Sequence, residues 1–370
     1  PKDGFSVLPM WVADMNFATV PTIPAAIIER AKHPLYGYFE APDAYYQAII
    51  DWQRDRNGVA DLPREAIGYE NGVLGGLMSA LGCLAAPGDA VLVHSPTYIG
   101  FTHTLEANGY RIVHSPLHRD DAGVWRMDFD DMDRLLKKHC IHAAIFCSPH
   151  NPCGRVWERW EIERAMEVYR ANDATVISDE IWSDILLNGH RHIPTQSVSA
   201  DARQRTVALY APSKTFNLAG LVGSYHIIYN KALRDRVLAR SEKPHYNEMN
   251  VLSMHVLLGA YTPEGRQWTD ELCEVLSGNV NFACDFIAQH FPGVSVAKPE
   301  GTYMLFLDCS GYCAAHGKTI DDVLHAGWDV GVAWQDGRMF HGPCAIRMNL
   351  ALPHALVEEA FTRLKTYVFV

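Results

Sequence analysis

Four polar residues stand where their neighbours are apolar or turn-forming, and each has a side chain suited to acid–base or anion chemistry. Lys214 lies in Tyr-Ala-Pro-Ser-Lys-Thr-Phe (210–216), after an apolar run and a proline, between Ser213 and Thr215. A lysine in an apolar setting has a depressed pKa, so its amine can act as nucleophile or base. A solvated lysine does neither, and residue type alone leaves both readings open. Asp179 follows the run Thr175–Ser178. A carboxylate there needs a cation such as a protonated pyridine nitrogen, or else it caps a helix starting near Glu180. Asn151 lies in Ser-Pro-His-Asn-Pro-Cys-Gly (148–154), a tight loop that either holds its amide rigidly or uses asparagine for its turn preference. Arg347 interrupts the apolar run Ala345–Leu350. It must find an anion, either a ligand carboxylate in its bidentate fork or an internal partner.

Two weaker features join these. Asn-Gly-Val-Leu-Gly-Gly (71–76) opens the apolar run 73–86, and glycines at a helix start let backbone N–H groups converge on an anion. Tyr98, after Ser95-Pro96-Thr97, has a ring able to stack on a flat ligand. Tyr210 and Lys214 also spell the Y-x-x-x-K pair of short-chain dehydrogenases. That reading requires a Gly-rich dinucleotide loop, and no G-x-G-x-x-G occurs.

The elements that must position these residues are legible as short, unalternating apolar runs: Ala90–Val93, Arg111–Val113, Ala143–Cys147, Thr175–Ser178 and Val207–Tyr210. Runs of this kind are buried parallel strands. Between them, Glu158–Asn172 has helical apolar spacing. Alternation of strand and helix predicts a parallel sheet covered by helices, with ligands at the carboxyl ends of the strands. Tyr98, Asn151, Asp179 and Lys214 all fall just after strands. The C-terminal third reads as a long helix over 268–291, strand-like stretches at 302–308, 327–342 and 345–350, and a closing helix over 356–367. A second, α+β unit is expected there, joined by the first twenty or so residues.

A chain of 370 residues, 48% hydrophobic and 20% charged, is long enough for two domains. Its net charge of -11 disfavours nucleic acid and anionic membranes as partners. The apolar run 73–86 is too short to span a bilayer, and no signal peptide is expected at Pro1–Gly4. The nine cysteines form no C-x-x-C pair and fit a reducing cytoplasm. Eighteen histidines include no H-E-x-x-H, so no metal site is expected.

Together the motifs resemble the fold-type I enzymes that use pyridoxal phosphate (PLP), in the class I/II aminotransferase superfamily, and within it the cystathionine β-lyase (C–S lyase) branch. The resemblance rests on residues 9–17 (PMWVADMNF), on 33–38 (HPLYGY) with 45–49 (YYQAI), and on 148–154, 178–181, 211–221 and 346–353. It implies a PLP-dependent transferase-like α/β fold: a large domain over 26–262 with a mostly parallel seven-stranded sheet between helices, and a small α+β domain from 1–25 and 263–370.

Carried over residue by residue, Lys214 resembles the Schiff-base lysine, and Asp179 would pair with the pyridine nitrogen. Asn151 would bond the ring hydroxyl oxygen and face the substrate. Tyr98 would stack on the ring, and Gly72, Val73, Leu74 and Ser213 would line the phosphate. Tyr38 would reach the phosphate of a neighbouring subunit, which implies a homodimer with shared sites. Arg347 would hold the substrate carboxylate, and Trp11, Tyr36 and Trp334 suggest an apolar wall that core packing explains equally well. Two positions depart from aminotransferase usage: Trp182 where many have tyrosine, and Val222 where aspartate-type enzymes have a phosphate-binding arginine. Both favour β-elimination from cystathionine or related cysteine S-conjugates, yielding a thiol, pyruvate and ammonia. An aminotransferase and a PLP-binding regulator with residual lyase activity remain as alternatives.

Overall fold

The computed structural model describes residues 1–245 and 247–370. Its main sheet has seven strands: β1 (Ile67–Glu70), β2 (Ala90–Ser95), β3 (Arg111–Pro116), β4 (Ala143–Cys147), β5 (Thr175–Asp179), β6 (Thr206–Tyr210) and β7 (Ser224–Ile227). Their order is β1-β7-β6-β5-β4-β2-β3. β2, β3, β4, β5 and β6 pair in parallel, while β7 runs antiparallel to both β6 and β1. The mostly parallel seven-stranded expectation therefore holds, and the apolar runs mark the parallel strands.

Both faces of the sheet are covered, which explains the unalternating runs. Ala144, Phe146 and Val176 pack on Ile162, Ala165 and Met166 of the helix Arg159–Ala171. Ala143, Ile145, Ile177, Val207 and Leu209 pack on Leu77, Ala80 and Leu81 of the helix Val73–Leu84 on the other side. Strands β1 and β7 were not readable as apolar runs because they carry polar residues inward. Glu70 and His226, both fully buried, bond at 2.7 Å.

A second sheet pairs β8 (Ser295–Val296), β9 (Met304–Asp308), β10 (Gln335–Asp336) and β11 (Ala345–Asn349) in the order β8-β9-β11-β10. Its core also includes Leu8, Met10 and Met15 from the N-terminal segment and the long helix Pro263–His290. That helix starts where Thr262 accepts a hydrogen bond from the Gly265 N–H at 3.0 Å. The closing helix spans His354–Tyr367. The stretch 327–342 differs from its strand-like reading. It begins in the helix Ile320–Asp329, forms two two-residue strands, and then makes a 3-10 turn over Gly337–Phe340. Glycines that look like strand punctuation are there for close packing: a Cβ on Gly327 would lie 2.2 Å from the Trp334 ring. Among the described residues no helix is long and apolar enough to cross a membrane.

Candidate active site

The carboxyl ends of β1, β4, β5 and β6 open onto one cavity of about 290 Å³, lined among others by Gly72, Val73, Leu74, Tyr98, Asn151, Asp179, Ser213 and Lys214. Parallel pairing places Cys147 directly opposite Asp179, so consecutive strand ends deliver the lining groups side by side.

Lys214 is carried by a turn pinned on both sides. The Thr215 hydroxyl donates to Asp184 at 2.9 Å, and Phe216 is fully buried against Trp52 and Trp268. Between these anchors the lysine amine points into the cavity and donates to the Ala13 carbonyl at 3.1 Å. Burial lowers its pKa, and the Arg347 charge lowers it further, against the pull of Asp14 and Asp179. The solvated-lysine reading does not hold.

Asp179 is buried, and one carboxylate oxygen accepts from the Ile181 N–H at 3.1 Å. A turn follows it, not the helix considered from the sequence. Burial pushes its pKa up to about 7. A buried carboxylate of this kind is stabilised by a cation against it, and a protonated ring nitrogen fits that chemistry. Between pH 3.8, the ordinary value, and about 7 the folded protein binds more protons than the unfolded chain, so the cofactor-free protein loses stability as pH rises through that window. Asp179→Asn therefore raises the melting temperature of cofactor-free protein at pH 8 and leaves it little changed at pH 3.5. The same substitution weakens cofactor retention, read by dialysis and absorbance.

Arg347 is 3% exposed. Its Nη1 donates to Asn151 Oδ1 at 3.2 Å, and its Nη2 donates to the Trp11 carbonyl at 3.3 Å and to Gln335 Oε1. The Phe340 ring lies 4.2 Å from the guanidinium carbon. Every one of these partners is uncharged, and Nε has no acceptor. Burial pushes the guanidinium pKa down to about 10. A buried cation with neutral partners and a free donor is built for an incoming carboxylate, and among the described residues Arg347 makes no internal salt bridge.

Gly72 supplies the remaining anion cradle. Its φ of +82° suits glycine, and it caps the helix Val73–Leu84, whose N-terminal end carries the positive pole of the helix dipole. Asn247 fastens this loop by accepting from the Asn71 N–H at 2.7 Å and donating to the Tyr69 carbonyl at 2.9 Å.

Tyr98 lies edge-on to Phe101, with ring centroids 5.3 Å apart. A Cβ on Gly100 would come within 2.2 Å of the tyrosine ring, so Gly100→Ala displaces the ring. We expect about tenfold weaker cofactor binding from that change, the magnitude of a lost aromatic stack, measured by titrating cofactor-free protein.

Three expected residues lie outside this cavity. Trp11 contributes its carbonyl, while its side chain is 50% exposed. Trp334 is buried core, donating to the Leu324 carbonyl at 3.2 Å, and is not a wall of the cavity. Tyr38 is fully exposed and lines a separate groove with Tyr36, Phe39 and Met249. Sequence reasoning missed Cys147, Ala13 and Ile181, which line the cavity, and Gln335, which holds Arg347 across the sheet. Only Cys147, ending an apolar run, carried a local signal.

The sequence profile of the family described as aminotransferase class I and II matches residues 9–364. The chain is 34% identical to cystathionine β-lyase PatB of Bacillus subtilis, over 97% of this chain and 92% of that protein. It superposes on cystalysin from Treponema denticola, which contains a PLP cofactor, with a TM-score of 0.90, 28% identity, and coverage of 97% and 90% of the two chains. It superposes on the PLP-bound C–S lyase of Staphylococcus hominis with a TM-score of 0.89, 29% identity, and coverage of 98% and 92%. With a profile match over nearly its whole length, the chain belongs to the class I and II aminotransferase family.

Proposed function

We propose that the protein is a PLP-dependent C–S β-lyase that cleaves L-cystathionine or a related cysteine S-conjugate to a thiol, pyruvate and ammonia. The observation that carries the reading is the convergence of Lys214 and the buried Asp179 on one cavity whose wall residue Asn151 is bonded to the uncompensated Arg347. Bound PLP supplies an electron sink for the negative charge left at Cα. Lys214 would hold it covalently, Asp179 would bond its ring nitrogen, Asn151 its ring oxygen, and Gly72, Val73, Leu74 and Ser213 its phosphate, with Tyr98 on the ring face.

The chain's own groups then divide the work. Arg347 takes the substrate carboxylate in its free donors and thereby fixes which Cα bond faces the lysine. Lys214, its pKa lowered by burial, removes the α-proton and holds it at Nζ. Asp179 stays ionised once it has a cationic partner, which keeps that partner protonated. Ile181 and Trp182 wall the cavity and limit water at the reacting atoms. The Cβ–S electron pair leaves with sulfur as thiolate, and water completes the release of pyruvate and ammonia.

Likeness to cystathionine β-lyases supports elimination over amino transfer. The test is to mix the purified protein with L-cystathionine. Stoichiometric pyruvate and homocysteine support the reading. Rapid conversion of the cofactor to its amine form with no thiol released would replace it with an aminotransferase.

Three features extend the proposal. The exposed side chains of Leu35, Tyr36 and Tyr38, beside a groove of about 950 Å³, support a homodimer in which Tyr38 completes the neighbouring site. The N-terminal segment and the C-terminal third share one core, which supports a small domain of 1–25 and 263–370 beside a large one of 26–262. Nine unpaired cysteines favour a reducing, cytoplasmic setting.

A further inference from the structure

We infer that Asn217 and Asn349 are positioning residues that strap the N-terminal segment 10–15 across the active site, so that one length of backbone orients Lys214 and Arg347 together. The carbonyls of this segment are shared out alternately. Met10 accepts from the Asn349 backbone N–H at 2.8 Å, and Val12 and Asp14 accept from Asn349 Nδ2 at 2.8 and 2.7 Å. The intervening carbonyls go the other way: Trp11 to Arg347 Nη2 at 3.3 Å, Ala13 to Lys214 Nζ at 3.1 Å, and Met15 to Asn217 Nδ2 at 2.9 Å.

Each asparagine sits beside the group that it serves. Asn217 lies three residues after Lys214 with φ of +59°, a left-handed conformation that asparagine tolerates. Its amide also accepts from the Met15 N–H at 3.1 Å, so it binds the strap as a strand partner would. Asn349 lies two residues after Arg347 and is fully buried, with its own Oδ1 accepting from the Ala351 N–H at 2.7 Å. The strap needs such clamps because Trp11 and Val12 are about half exposed and anchor little through their side chains. Two asparagines, one on the lysine turn and one on the arginine strand, thus set a single register. The Ala13 carbonyl aims the free amine, and the Trp11 carbonyl aims the guanidinium.

The catalytic consequence rests on the lyase reading, whereas the mechanics of the strap do not. The test combines hydrogen exchange with a double-mutant cycle on the PLP-loaded protein. Asn217→Ala and Asn349→Ala should each speed exchange of the amides of Met10 and Asn16 at least tenfold and lower kcat for L-cystathionine at least tenfold, with the visible absorbance of the bound cofactor unchanged. The double variant should be no worse than the more damaging single one, because either loss frees the same strap. Losses that multiply, or strap amides that exchange as in the wild type, would overturn the inference. If the buried Asn349→Ala variant does not fold, Asn217→Asp decides the matter. It keeps the acceptor for the Met15 N–H and removes the donor to the Met15 carbonyl, so it must loosen the same amides, and their unaltered exchange would refute the strap. Wild-type protein that makes no pyruvate defeats the lyase reading and leaves the exchange result to judge the strap.

Discussion

Lys214→Ala lowers turnover of L-cystathionine by about a thousandfold or more while leaving the fold intact. The amine points into the cavity with its pKa lowered by burial, and general-base removal of a proton is worth about 10²–10⁴ in rate. Losing the covalent hold on the cofactor adds to that. Lys214→Arg does not restore activity, because a guanidinium stays protonated and cannot accept the α-proton. The fold survives because the turn is held by Thr215 and Phe216, not by the lysine. The measurement is single-turnover kinetics with excess PLP, alongside a thermal melt. Variant activity within tenfold of wild type would remove Lys214 from the chemistry.

Arg347→Gln has the second-largest expected effect, and it acts on catalysis and stability in opposite directions. Its neutral partners leave the buried guanidinium charge uncompensated until a carboxylate arrives. Removing one side of a buried charge pair costs about 2–5 kcal/mol, so kcat/KM for L-cystathionine should fall by about 10²–10³. The same change removes an unpaired buried cation from the ligand-free protein, so its melting temperature should stay the same or rise. A structural arginine would behave oppositely, with a lower melting temperature and a modest kinetic loss. The contrast makes the pair of measurements decisive.

The parallel core was legible because burial on both faces leaves a plain record in composition, as in Ala143–Cys147. The same logic placed Tyr98, Asn151, Asp179 and Lys214 at one sheet edge, and the cavity gathers all four. What escaped the sequence depends on pairings with no local signal. Strands β1 and β7 hide behind the buried Glu70–His226 pair. Gln335 meets Arg347 only through antiparallel register. Ala13 offers a carbonyl, and a backbone atom leaves no mark in residue type. Trp334 misled because a large aromatic suits a ligand wall and a core equally, and only tertiary packing decides between them.

The central claim is that PLP is held on Lys214. The direct measurement is borohydride reduction of the PLP-loaded protein followed by peptide mass mapping. The account predicts loss of the visible absorbance band and one added pyridoxyl phosphate mass, on the peptide containing Lys214. A protein that takes up no cofactor, or one carrying the added mass on another lysine, would contradict it.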